Sequence, residues 1–356
     1  MPPFLKFVIR RLLIIPITLL IVTALLYAAV MVTPPEERAL LYLTHLSPHI
    51  TEEQLQKLIA RTIVDRGLDQ PYPIQYLNWL GTLISGQWGW SPNLRTNVLD
   101  YLITHTPVTV EITLYSLLTF IPLGILSGVL AGRAHGQTAD NSFRFLAFSA
   151  TSIPPFILGL MMISFLYVGL KWFAPGRLSD PIALIVKSSS FQAYTGLVTI
   201  DGLLNGRLDV TLDALKHLVM PVLTVSALHW ATLGRVTRAA ITDELDKDYI
   251  VAARAHGLSQ RRIVWRHAFR NTLVPALTSS VLAAASLLGG VYIVEIVFNM
   301  HGVSELITEA VQQQTADAPA ALGFTVYNIL AVLLLMFVLD VLQAVIDPRM
   351  REKVQV

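Results

Sequence analysis

The 356 residues are 54% hydrophobic and 14% charged, with a mean hydropathy of +0.58, where soluble domains carry about a quarter charged residues, so this is an integral membrane protein. A net charge of +2 gives no basic surface for nucleic acid, and the meaning of the cations lies in which loops hold them. The absence of cysteine excludes disulfides, thiolate nucleophiles and cysteine metal sites, and with no G-x-x-x-x-G-K-[ST] stretch the chain has no loop to cradle ATP phosphates.

Arg10 and Arg11 precede an uncharged, mostly apolar run over 12–32, about the length that crosses a bilayer as helix. No A-x-A cleavage site follows, so 1–33 is read as a tail and uncleaved first span with the N-terminus in the cytoplasm. Residues 34–106 turn polar and read as a structured external loop, with a helix over 51–66 and turns around Pro71, Pro73, Gly86 and Gly89. Trp79, Trp88 and Trp90 read as interface anchors ahead of a substrate-binding role. The second span is expected over 108–132, and the third falls within 143–173. Arg133, His135 and Arg144 mark the loop between them as cytoplasmic.

Glu111, at the start of span two, reads as a solvated helix-start acid ahead of a pathway role. Pro154 and Pro155 predict a kink, equally a gating hinge or an ordinary bend. A second external segment, 171–216, leads to span four over 217–241, where Arg235 and Arg238 are expected to snorkel at the cytoplasmic exit. Span five, 272–298, ends with Glu295, for which a functional and a capping role stay open. The loop 299–321 has no lysine or arginine and reads as external. Span six, 322–346, carries Asp340, read as a helix-packing residue ahead of a polar path, and 347–356 is a cytoplasmic tail. The expectation is an all-α integral membrane protein with six transmembrane helices and both termini cytoplasmic.

The stretch 248–275, DYIVAARAHGLSQRRIVWRHAFRNTLVP, carries five arginines and two histidines between two apolar runs. Such a basic excursion belongs in the cytoplasm. Asp248 to His256 are good helix formers, with Ala252, Ala253 and Ala255 as a small-residue face. Gly257 can take the left-handed conformation that ends a helix, and Ser259 can cap the next, which runs from Gln260 toward Asn271. A short small-faced helix on a rigid turn suits docking into a groove on another protein. The plainer reading, a basic amphipathic loop lying on anionic headgroups, explains the arginines but not Gly257, His267, Asn271 and Pro275 at these spacings.

The spelling ARAHGLSQRRIVWRHAFRNTLVP resembles the cytoplasmic EAA loop of binding-protein-dependent ABC importers. It is most similar to the dipeptide/oligopeptide/nickel permeases, and within them to dipeptide permease B-type subunits, whose form is close to ARAKGLSxxxVxxxHALRNALxP. Ala253, Arg254, Ala255, Gly257, Leu258, His267, Ala268, Arg270, Asn271 and Pro275 match position by position. The first span, the stretch from Leu68 to Gly89, His217 to Pro221, Glu295-Ile296-Val297-Phe298 and Asp347-Pro348-Arg349 are also similar to the family's segments. Pro34-Pro35-Glu36-Glu37 stands where the family has Pro-Gly-Asp-Pro. Met300 to Ser304 replaces WPGLG, and Asp317-Ala318-Pro319 replaces DYP.

The resemblance implies the type I ABC importer permease fold, with the permease domain over 107–346 and its coupling loop over 242–271. By it, Asp248, Tyr249, Ala252, Ala253, Arg254, Ala255, Gly257 and Leu258 couple to an ATPase subunit. His267, Arg270, Asn271 and Pro275 shape the loop, and Glu295, Phe298 and Gly302 are candidates for the pathway or its mouth. No catalytic or metal-ligating residue is assigned, and the chain is expected to hold no cofactor of its own, since ATP and Mg belong to partner subunits. The implied partners are a second homologous permease, two ATP-binding subunits, an extracytoplasmic solute-binding protein and membrane lipid, in the inner membrane of a prokaryote. A membrane-embedded hydrolase would need paired mid-span acids or a H-E-x-x-H set, which the sequence lacks. A secondary transporter would show inverted repeats and midplane ion-coupling acids. The family handles dipeptides, longer peptides, nickel chelates, glycosides and antimicrobial peptides, and no motif here selects among them.

Overall fold

The structure, a computed structural model, describes residues 3–40, 42–43, 50–312 and 317–346; the expected tail 347–356 lies outside them. The chain forms α1 (Pro3–Val30), α2 (Pro35–Leu40), α3 (Glu52–Arg66), α4 (Tyr72–Ile84), a hairpin of β1 (Trp90–Ser91) and β2 (Thr96–Asn97), and α5 (Val98–Arg133). Next come α6 (Thr138–Ser152), α7 (Pro155–Met162) running into a π-helical turn over Ile163–Gly169, α8 (Asp180–Val186), α9 (Val198–Leu204) and α10 (Leu208–Leu245). The remainder is α11 (Asp248–Ala255), α12 (Gln260–Arg262), a second π turn (Ile263–Ala268), α13 (Phe269–Val297), α14 (Ser304–Gln312) and α15 (Ala318–Ile346).

Among the described residues five helices are long and apolar enough to cross a membrane: α1, α5, α10, α12 continuing through α13, and α15. A sixth span results if α6 and α7 are one broken crossing, bent by 101°. The bend falls at Ile153–Pro154, where the extended backbone of both residues interrupts the helix. A proline disfavours helical backbone in the residue before it, so the expected kink becomes a break. The second span starts ten residues earlier than expected, at Val98, and the fourth at Leu208.

The chain divides into two compact units. In the unit that contains 8–106 and 303–334, α3 has the expected helix signals. Thr51 and Gln54 form a capping box, and Gly67 ends the helix at φ 61°. Trp79 is not a free surface ring: it packs on Tyr27 at 5.2 Å, in a cluster with Tyr72 and Tyr76. Trp88 donates to the carbonyl of Leu83, whereas Trp90 stays exposed. Asp317 is buried, accepts from Ser91 and caps the start of α15 through the Ala320 N–H.

In the unit that contains 107–302 and 335–346, α5 and α10 approach closely along a glycine row. A Cβ on Gly124 would meet Leu233 at 3.1 Å, one on Gly128 the Gly234 carbonyl at 2.5 Å, and one on Gly132 the Ile241 side chain at 2.3 Å. In lipid, apolar surface supplies no force between helices, so association depends on such close backbone contact. On its other side Gly234 receives the Phe143 ring of α6, which also meets Trp230 edge-on. Arg238, expected to snorkel, instead pairs with Asp140 of α6, whose side chain is buried.

The glycine row makes a prediction. Gly128→Ala cannot keep the α5–α10 spacing and should lower stability by about 1–3 kcal/mol, read as a lower thermal midpoint in detergent. Gly289→Ala on α13, where among the described residues a Cβ meets nothing within 4 Å, should leave the midpoint unchanged or raise it.

Candidate functional site

The loop between α10 and α13 is built as a short helix on a locked turn. At the end of α11 the Gly257 N–H bonds the Arg254 carbonyl (2.9 Å) and the Leu258 N–H the Ala253 carbonyl (3.2 Å). Gly257 sits at φ 74°, so the pattern is a Schellman motif. Ser259 stands at the N-cap of α12 with extended backbone, but among the described residues its side chain makes no capping bond; its carbonyl receives the Ile263 N–H. From Gln260 the chain runs as one helix of 38 residues to Val297, widened over Ile263–Ala268 by the π turn.

Ile250, Ala253, Ile263, Val264 and Ala268 form a core with Val129, Ile241 and Leu245, and Leu258, Trp265 and Phe269 pack on it. This core holds α11 against the ends of α5, α10 and α13. It also corrects the expected small-residue face: Ala253 points inward, and only Ala252 and Ala255 are exposed, beside Asp248, Tyr249, Val251 and Arg254. Residues 252 and 253 are separated by about 100° around the helix, so three neighbouring alanines cannot share one face.

The sequence reading missed Glu244. Its Oε1 accepts from the Tyr249 hydroxyl (2.6 Å) and from Asn271 Nδ2 (2.9 Å), and Asn271 Nδ2 also lies 3.3 Å from the Tyr249 oxygen. Three helices are thereby pinned: the end of α10, the first turn of α11 and the start of α13. Burial and the neighbouring Glu244 carboxylate raise the Tyr249 pKa above the usual phenol value, so the hydroxyl stays a donor through neutral pH. Glu244 lies upstream of the spelled-out motif, and nothing in its local sequence marks it. His267 is half-buried in the π turn and Arg270 is exposed. Pro275, inside α13, has no N–H, which frees the Asn271 carbonyl four residues before it.

At the other end of α13 the structure gathers Glu295, Phe298 and Gly302. Glu295 is 1% exposed and accepts a hydrogen bond from Thr109 of α5. A Cβ on Gly302 would meet the Glu295 carboxylate, so a larger residue there would push that acid off its present position. Phe298 is fully buried, and its carbonyl receives the Gly176 N–H (2.7 Å).

Glu111 is not a solvated acid. With α5 starting at Val98 it lies well inside the helix, is 2% exposed, and accepts from the Thr199 N–H (2.8 Å), the Thr199 hydroxyl (2.6 Å) and Arg177 (3.3 Å). Asp340 is buried in α15, one turn from Gln343, which donates to Thr278 of α13 (3.2 Å). Among the described residues no cluster of three or more His, Cys, Asp or Glu could hold a metal ion.

The sequence matches the binding-protein-dependent transport system inner membrane component over residues 121–352, and the N-terminal segment of such components over 4–113. The chain belongs to this permease family. It is 32% identical over 98% of its length to the di/tripeptide transport system permease protein DppB of Pseudomonas aeruginosa (strain UCBPP-PA14), covering 99% of that protein. It is 30% identical to the oligopeptide transport system permease protein AppB of Bacillus subtilis (strain 168), over 96% of this chain and 98% of that one. To the glutathione transport system permease protein GsiC of Escherichia coli O1:K1 / APEC it is 29% identical, over 98% of this chain and all of the relative. The chain is thus an all-α, multi-pass permease, and the pinned loop and the Glu295 turn both fall inside the 121–352 permease match.

The Glu244–Tyr249–Asn271 pin predicts a local effect. Asn271→Ala removes two of its bonds, worth about 1 kcal/mol each, and should speed amide exchange in α11 roughly tenfold or more, while exchange in the middle of α10 stays at the parent rate. Hydrogen–deuterium exchange by mass spectrometry checks it.

Proposed function

We propose that this permease subunit carries di- or oligopeptides, or a related small peptide-like solute, and that α11 is the element through which separate ATPase subunits drive it. The observation that carries the reading is the construction of the loop: its outer face offers Ala252 and Ala255, while its inner face is fused to the ends of α5, α10 and α13. A push on α11 is therefore delivered to three long helices at once. Asp248, Tyr249, Val251, Ala252, Arg254 and Ala255 form the contact surface, Gly257 and Leu258 fix its angle, and Ala253 anchors it from inside. The peptide assignment rests on the likeness to permeases named for di/tripeptide, oligopeptide and glutathione transport.

In this reading the chain works with a second homologous permease, two ATP-binding subunits that hold ATP and Mg, and a solute-binding protein on the far side of the membrane. Both termini and the 246–271 loop face the cytoplasm. The cation distribution supports that side, since Arg254, Arg261, Arg262, Arg266 and Arg270 cluster in one loop while 299–321 has no lysine or arginine. The Glu295–Gly302 turn and the 34–97 region then lie toward the solute-binding protein.

Two tests follow. Gly257→Val forces a β-branched residue into left-handed backbone at roughly 1–2 kcal/mol, and since among the described residues a Cβ there meets nothing within 4 Å, its effect reports the turn alone. Ala255→Trp leaves the turn and blocks the outer face. Both variants should insert normally yet lose the ATPase subunits, or keep them with ATP hydrolysis no longer stimulated by solute in reconstituted vesicles. Transport equal to the parent in both would show that the loop is only a tether. For sidedness, single cysteines placed in this cysteine-free chain at Gln54 and Ser189 should react with an impermeant reagent from outside, and one at Gln260 should not; the reverse pattern overturns the orientation.

A further inference from the structure

α6 has two distinct faces. Asp140, Phe143 and Ala147 are buried, whereas Asn141, Arg144, Phe145 and Phe148 are exposed. These four, with Arg235 of α10, line an open groove of about 540 Å³. Among the described residues that line it there is no carboxylate, and neither arginine is held in an ion pair. Asp140, the acid nearest in sequence, faces the other way and is taken by Arg238. The groove is thus a site of two uncompensated guanidinium groups and one amide, walled by two phenylalanines that are 70% and 67% exposed.

We propose that this groove binds the phosphate headgroup of an anionic phospholipid. The planar, permanently charged guanidinium presents paired N–H donors that match two phosphate oxygens, and it sheds water more readily than an ammonium. Asn141 adds a neutral donor. The phenylalanines favour a lipid over a free anion: a soluble phosphate would leave both rings in contact with water, whereas a phospholipid brings its own acyl chains to cover them. The location agrees. Arg235 lies ten residues before the end of α10 at Leu245, about 15 Å along the axis, between the apolar stretch of that helix and the basic loop. Basic pockets between helices at that level are where anionic headgroups bind. The binding does not depend on ATPase partners, so this inference stands or falls separately from the proposed function.

The experiment is a titration of the purified full chain in mild detergent, read by native mass spectrometry, with phosphatidylglycerol and phosphatidylcholine of identical acyl chains. The parent should bind phosphatidylglycerol at least tenfold more tightly, and inorganic phosphate at equal concentration should not displace it. Arg144→Gln combined with Arg235→Gln should lose at least tenfold of that preference. Lys57→Gln combined with Arg61→Gln, which removes the same charge from exposed positions on α3, should keep it. Equal binding of the two lipids by the parent overturns the proposal without recourse to any variant, as does an unchanged preference in the Arg144/Arg235 double variant. Displacement by inorganic phosphate reassigns the groove to soluble anions, and loss of binding when a second permease is present reassigns it to a protein contact; either refutes the lipid site.

Discussion

The molecule depends on how closely α5 and α10 can approach. Between apolar helices in lipid there is no hydrophobic reward for association, so what remains is dispersion at short range and a few polar bonds. Gly128 and Gly132, one turn apart, let α5 approach the α10 backbone, and Gly124, a turn before them, takes the Leu233 side chain. The Asp140–Arg238 pair, its carboxylate buried and its guanidinium partly exposed, adds a charged tie from α6 to the same helix. An isolated buried charge would cost several kcal/mol, so the pair also fixes which face α6 presents. Once that face is set, Phe143 fills the notch at Gly234 and the arginine-lined side of α6 is left outward.

The loop inherits its rigidity from this packing. Val129 and Ile241 come from the α5–α10 contact and also belong to the core under α11. The Glu244, Tyr249 and Asn271 bonds close the same assembly at its edge. A docking element on a flexible tether would dissipate a partner's motion in loop rearrangement; one whose inner face is continuous with the helix core moves as part of it. At the other end of α13, the Glu295 carboxyl under Gly302 and the hydrogen bond from Thr109 give the turn a second fixed point against α5. The helix that starts at the loop therefore also ends in a defined place.

Much of this was legible in the sequence, for identifiable reasons. Span existence follows from apolar run length, and the α11 turn follows from Gly257, because few residues other than glycine take that backbone conformation without cost. What escaped was whatever depends on a partner remote in sequence. Glu111 looked solvated because polar residues before 107 concealed that the helix already begins at Val98, and its partners Arg177 and Thr199 lie more than sixty residues away. Arg238 looked like an ordinary interface arginine until Asp140 was placed beside it. Ala253 was assigned outward because composition reveals small residues but not the phase of an eight-residue helix. Glu244 had no distinguishing neighbour at all.

The π turn at Ile263–Ala268 carries a lesson about tolerance to change. A helix widened in this way holds an extra residue for its height, and one residue is worth about 100° of rotation. Removing one residue from the π turn would let it close to ordinary α geometry with the flanking turns still nearly in phase, whereas removing one from the ordinary turns of α13 would swing everything on the loop side through that angle, taking Ile263 and Val264 out of the core they share with Ile250. Side chains on the outer face can drift without that penalty. Descendants of this chain would therefore tolerate a lost residue in the π turn better than one in the ordinary turns of α13, because there the length of the chain, more than its spelling, aims the loop.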